Sequence, residues 1–135
     1  EWETVNGRKL PWLFRRQGDA PFGFAGLWDR WQGPDGIAME TCALITTEPN
    51  ELMRRIHSRM PVMLTGDDCA EWLAPTVTDP VKLAALLEPP PADEMTAVRV
   101  NARMNNPRVN DAECIVALPP GANDEPEEPQ LSLGL

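Results

Sequence analysis

Residues 54 to 61, RRIHSRMP, carry the only histidine of this 135-residue chain. One imidazole cannot form a histidine pair or a histidine-rich metal site, but it can exchange protons near neutral pH. Arginines surround it at Arg54, Arg55 and Arg59. If the segment after His57 is extended, residues 57 and 59 share a face. A guanidinium could then hold a phosphate while the imidazole moves a proton beside it. The plainer reading is a histidine at a helix end that satisfies backbone carbonyls. Arg54 and Arg55 also allow two readings, as solvated helix positions or as phosphate contacts.

Other chemistries find less support. Cys42, Cys69 and Cys114 lie far apart, with no CxxC pair for zinc or redox work. Their odd number does not suit a secreted disulfide framework, so they read as reduced thiols of a cytoplasmic protein. No metal or cofactor is expected. There is no glycine-rich phosphate loop and no Ser/His/Asp or Cys/His motif of a general peptidase. The net charge of −9 opposes a non-specific grip on nucleic acid. The charge is unevenly placed, however. In residues 1 to 66 the basic groups Arg8, Lys9, Arg15, Arg16, Arg30, Arg54, Arg55 and Arg59 match an equal number of acids, so the acidic excess lies beyond them. A local basic groove in the first half is compatible with that balance.

The elements that must position these residues are short. KLPWLF and FGFAGLW read as strands around the RRQGDAP turn, and QGPDG precedes a further strand toward ALITT. EPNELMRRIH reads as a short helix capped by Thr47, with Leu52 and Ile56 on one face and His57 at its end. RMPVMLT returns as a strand. Thr65 and Asp79-Pro80 signal the starts of helices over DDCAEWLA and DPVKLAALLE, and MTAVRV reads as a late strand. Trp28 and Trp72 sit in apolar patterns and are expected in the core. Asn105, Asn106 and Asn110 are adequately explained by turn chemistry. From Pro119 the chain is acidic and proline-rich, so residues 119–135 read as a disordered tail. Close strands with Gly/Pro turns predict an α+β fold, with a curved antiparallel sheet or open β-barrel and short peripheral helices, not a doubly wound sheet.

Four stretches together resemble the SOS-response-associated peptidase family: Glu1-Trp2, PFGFAGLWDRW, ALITTEPNELMRRIHSRMPVML and VNARMNNPRVNDAECIVAL. The resemblance runs over residues 1 to 118 and implies a DNA-repair protein that senses abasic sites in single-stranded DNA. Members join an N-terminal cysteine to the ring-opened sugar as a thiazolidine crosslink, after self-removal of the initiator residue. By this match Glu1 and His57 are the catalytic pair, and the residue reading adds Arg59, Thr46 and Trp2 on the DNA side. None of the three cysteines stands at the nucleophile's position. The chain opens on Glu1-Trp2 without an initiator methionine, so it reads as the later part of such a domain, inactive alone. The expected partner is single-stranded DNA with abasic sites. The protein is expected to be a cytoplasmic monomer, nucleoid-associated when on DNA, with no membrane contact. Two other classes compete: a non-catalytic single-strand-binding module, and a protease acting on other proteins.

Overall fold

A computed structural model describes residues 1–119, 121 and 122, and the greater part of the acidic tail lies outside the described residues. The chain divides into two compact units, one formed by Arg15–Thr96 and the other by Glu1–Phe14 with the chain from Ala97 onward. Short strands dominate: β1 (Trp2–Val5), β2 (Arg8–Arg16), β3 (Gly23–Phe24), β4 (Gly26–Gln32), β5 (Ala38–Leu44), β6 (Thr46–Thr47), β7 (Met60–Pro61), β8 (Met63–Leu64) and β9 (Met95–Arg99). Two α-helices, α1 (Gly66–Leu73) and α2 (Pro80–Ala85), join them. The sheets are open, and the pairs β1–β2, β3–β8, β4–β5 and β6–β7 are antiparallel. The fold is therefore α+β, as the turn spacing predicts. Among the described residues no helix is long and apolar enough to cross a membrane.

In the unit Arg15–Thr96, three strand runs each break at one residue: Ala25 between β3 and β4, Ile45 between β5 and β6, and Val62 between β7 and β8. These three residues bond to one another in a closed ring of backbone hydrogen bonds. Ala25 N–H donates to Val62 at 3.0 Å, Val62 N–H to Ile45 at 2.9 Å, and Ile45 N–H to Ala25 at 2.9 Å. Ala25 and Val62 are fully buried and form the core with Leu64, packed by Ile45, Cys69, Trp72, Leu86 and Leu87. Each strand run changes partner at this junction. β5 leaves β4, and its continuation β6 pairs with β7.

Beyond the junction, β4 and β5 pair only with each other in a two-stranded ribbon. Here the structure corrects the expectation of buried tryptophans. Trp28 is 73% exposed and Trp31 is 56% exposed. Alternation buries one face only when a second layer covers it, and nothing in this unit covers the ribbon. Trp72, on α1, does pack on the core as expected.

A second correction concerns the segment before His57. It is not a regular helix capped by Thr47, which lies in β6. It is a short turn ending in a 3-10 stretch, Met53–Arg55. The buried Asn50 organises this turn, because its Oδ1 accepts from Met53 N–H at 3.0 Å. Its Nδ2 donates to the Pro90 carbonyl at 3.0 Å and to Met95 Sδ at 3.3 Å, and its backbone N–H donates to Met60 Sδ at 3.3 Å. The helix starts expected later in the chain do form. Asp79 Oδ1 accepts from Val81 N–H at 2.9 Å, with Pro80 opening α2. Thr65 stands before α1 but makes no side-chain cap bond.

The other unit is built on the β1–β2 hairpin, whose turn is Asn6-Gly7 with φ values of 51° and 77°. Positive φ at both central residues is what a tight hairpin turn needs and what Asn-Gly supplies. The strand after this turn begins at Arg8, ahead of the KLPWLF run that alternation marks in the sequence. β2 lies between β1 and β9, and Val100 bridges to Ala117. Arg103 closes the following loop by ion pairs to Asp111 at 2.8 Å and to Glu113.

Replacing Asn50 by alanine leaves Met53 N–H and the Pro90 carbonyl without their partner. Chemical denaturation of Asn50→Ala should show a loss of about 1–3 kcal/mol, the cost of leaving buried polar groups unsatisfied. A loss below ~1 kcal/mol would show that the turn does not depend on this side chain.

Candidate functional site

Thr46, His57 and Arg59 come together at the β6–β7 pair, beside the junction. β6 begins one residue after Ile45, and β7 begins at Met60, directly after Arg59. The Asn50-organised turn delivers the histidine to the same place: His57 N–H donates to the Met53 carbonyl at 2.9 Å. His57 therefore lies directly after a helical turn, as read from the sequence, although the turn is shorter than expected.

The Arg59 guanidinium grips Thr46. Nε and Nη2 donate to Thr46 Oγ1 at 3.3 and 3.0 Å, and Nη2 also donates to the Thr46 carbonyl at 2.6 Å. Nη1 faces Glu48 Oε1 at 3.4 Å. Two N–H groups on one hydroxyl use both of its lone pairs, so the hydrogen of Thr46 is directed elsewhere, as a donor. Arg59 remains 47% exposed, and Nη1 is the nitrogen open to a further acceptor. A phosphate reaching it would compete with Glu48. Both groups face solvent, so that pair is weak and easily exchanged.

His57 and Arg59 do not simply share a strand face. Nδ1 of His57 lies 2.8 Å from the Arg59 carbonyl oxygen and 3.2 Å from its backbone nitrogen. The ring is exposed, with Nδ1 turned to the main chain. Beside this cluster an open groove of about 630 Å³ is lined by Thr47, Glu48, Asn50, Glu51, Arg54, Glu88 and Asp93 among others. Its acidic groups outnumber its one arginine, so this groove is a poor seat for a polyanion. Arg54 lines it and donates to the Pro49 carbonyl at 3.2 Å, which fits a structural position better than a phosphate contact. Glu48 reads in the sequence only as an acid suited to the first turn of a helix, and Asn50 is not singled out there at all. Their only further signal is their place in the ITTEPN run.

Glu1 and Trp2 belong to the other unit. Glu1 pairs with Trp12, whose N–H donates to the Glu1 carbonyl at 2.8 Å. Trp12 also donates its indole N–H to Glu3 at 3.0 Å, and the Arg99 guanidinium lies over its ring at 5.9 Å. Trp2 is opposite Pro11, is 41% exposed, and donates its indole N–H to Asn105 Oδ1 at 2.6 Å. Asn105 thus fixes the Trp2 ring, a role that turn chemistry alone did not predict. Among the described residues no group of three or more His, Cys, Asp or Glu side chains is placed to hold a metal ion.

Comparison with known proteins bears on the whole chain. The family model described as SOS response associated peptidase (SRAP) matches residues 1–107. The abasic site processing protein YoqW of Bacillus subtilis is 44% identical over 116 residues, which is 85% of this chain and 52% of that protein. The abasic site processing protein HMCES of Xenopus tropicalis is 35% identical over 141 residues, 87% of this chain and 40% of the relative. A crystal structure of a Bacteroides thetaiotaomicron protein superposes with a TM-score of 0.79 at 29% identity, covering 87% of this chain and 52% of the other. The chain thus spans about half the length of the curated relatives it matches. Sequence identity, the family match and the shared fold agree, and the chain belongs to the SOS response associated peptidase family.

Proposed function

We propose that this chain carries part of the reaction centre of a DNA-repair protein that processes abasic sites in single-stranded DNA. The observation that carries this reading is the convergence of Thr46, His57 and Arg59 from two segments onto the β6–β7 pair. All three lie within the stretch that matches the family, whose relatives are named for abasic-site processing.

The chemistry follows from what such a site must do. A ring-opened abasic sugar presents an aldehyde. An α-amine adds to it to give a carbinolamine, water leaves to form an imine, and a thiol on the same cysteine adds to the imine carbon and closes a thiazolidine. Each step moves a proton, and an exposed imidazole with one nitrogen free suits that work. None of Cys42, Cys69 and Cys114 is at the family's nucleophile position, so none of them supplies the amine and thiol of this scheme. Glu1 is the second proton-transfer group. Arg59 offers Nη1 to a backbone phosphate and Thr46 offers its hydroxyl hydrogen, while Trp2, held by Asn105, presents an aromatic face. Residues 1–118 then belong to the catalytic domain.

The direct test uses a protein with the complete domain and a single-stranded oligonucleotide bearing one abasic site. His57→Ala should slow crosslink formation at least ~10-fold, the low end of general acid–base assistance, while leaving DNA affinity near that of the parent. Crosslinking at the parental rate would remove His57 from the chemistry and favour a module that only binds.

Charge reversal probes the phosphate contact. Arg59→Glu should weaken binding to intact single-stranded DNA and flatten the salt dependence of its affinity by about one counterion. Titrations that superpose on the parent from low to high salt would show that Arg59 does not meet the backbone.

A further inference from the structure

Arg59 touches His57 through its main chain and Thr46 through its side chain, and the two contacts have a joint consequence. The Nδ1 atom of His57 sits between two backbone groups that demand opposite things of it. The Arg59 carbonyl, 2.8 Å away, can only accept, so that contact is attractive when Nδ1 carries hydrogen and opposes two lone pairs when it does not. The Arg59 N–H, 3.2 Å away, can only donate, so it favours a bare Nδ1. The carbonyl contact lies near the most favourable hydrogen-bond length, and the amide contact is at the long end of the range. Which ring nitrogen is protonated is set by the bond the other makes.

We propose that the Arg59 carbonyl selects the Nδ1–H tautomer of neutral His57, leaving Nε2 bare to take protons, and that the guanidinium clamp on Thr46 holds this carbonyl in position. The proposal rests on the reading of His57 as the proton-transfer group. It makes Arg59 a positioning residue for the imidazole in addition to any phosphate contact, and it makes Thr46 the anchor of the arrangement. The three contacts from Arg59 to Thr46, at 2.6, 3.0 and 3.3 Å, tie the side chain of residue 59 across the β6–β7 pair. Its backbone is thereby fixed at the point where the chain leaves the Asn50 turn and enters β7. In water the neutral imidazole ring prefers hydrogen on Nε2, so a fixed Nδ1–H form is a distinct signature of this clamp.

Residues 1–135 contain one histidine, so one pair of ring-nitrogen resonances reports the arrangement. The chain is labelled with 15N-histidine and its ring nitrogens are observed by two-bond correlation without DNA. The pH is set on the alkaline side, where the ring-nitrogen shifts themselves identify the neutral form. The parent should show Nδ1 as the protonated nitrogen and Nε2 as the bare one. In Arg59→Met the two resonances should draw together as the tautomers mix, with the indole signals of Trp2 and Trp72 unmoved as the check on folding. Thr46→Val, which keeps the carbonyl acceptor but removes the hydroxyl, should shift them the same way by less, and it serves alone if Arg59→Met does not fold. A parent ring protonated at Nε2, or a parental tautomer ratio retained in the variants, would overturn the proposal. Neither result would touch the crosslinking test of His57→Ala, so failure here is distinct from failure of the functional reading.

Discussion

The hydrogen-bond ring formed by Ala25, Val62 and Ile45 is the constraint on which the unit Arg15–Thr96 depends. Three strand runs break there, and a break inside a buried sheet region ordinarily leaves backbone groups without partners. The ring avoids that, because each residue gives its N–H to one neighbour and its carbonyl to the other. Burial follows from the same geometry. Ala25 and Val62 have no accessible surface, so their peptide groups had to be satisfied internally. The small side chain at Ala25 fits this crowding, since a larger one would overfill the point where three backbones meet. The positions that flank the ring inherit its rigidity, and Thr46 is next to Ile45 in the chain.

Asn50 does for the turn what the ring does for the strands. A primary amide has two donors and one two-pair acceptor, and nearly all of that capacity is used inside the protein. Its partners, Met53, Pro90 and Met95, are distant in sequence except for the first, so a single side chain fixes the turn before His57 against two later segments. The ring and the amide thus hold the two approaches to the histidine.

Much of this was legible in the sequence, for reasons that can be named. Turn residues and apolar alternation mark where strands and helices begin, and Asp79-Pro80 announced α2 because its signal is local. The block from Ile45 to Leu64 pointed to Thr46, His57 and Arg59, and these do converge. The partner of each strand was not legible. FGFAGLW, ALITT and RMPVMLT each read as one run, yet each changes partner at a buried or half-buried residue, which alternation does not record. The same blindness misplaced Trp28. A period of two says which side chains share a face but not whether anything covers that face. Thr47 and Asn50 are both cap-forming types three residues apart, and propensity alone does not choose between them. The choice is made by Pro90 and Met95, some forty residues further on. The main-chain contact between His57 and Arg59 was equally invisible, because spacing predicts shared faces and not the path of a backbone between them.

Two of the partners of Asn50 are methionine sulfurs, and this carries a chemical liability. Met60 has no accessible surface and Met95 almost none, so in the folded chain their thioethers are shielded from oxidants. Once the chain opens, either sulfur can become a sulfoxide. The added oxygen is bulky, polar and a far stronger acceptor than the thioether it replaces. It would have to fit where Asn50 now meets bare sulfur. Oxidative damage at these positions therefore acts on molecules that are folding or refolding, not on those already folded.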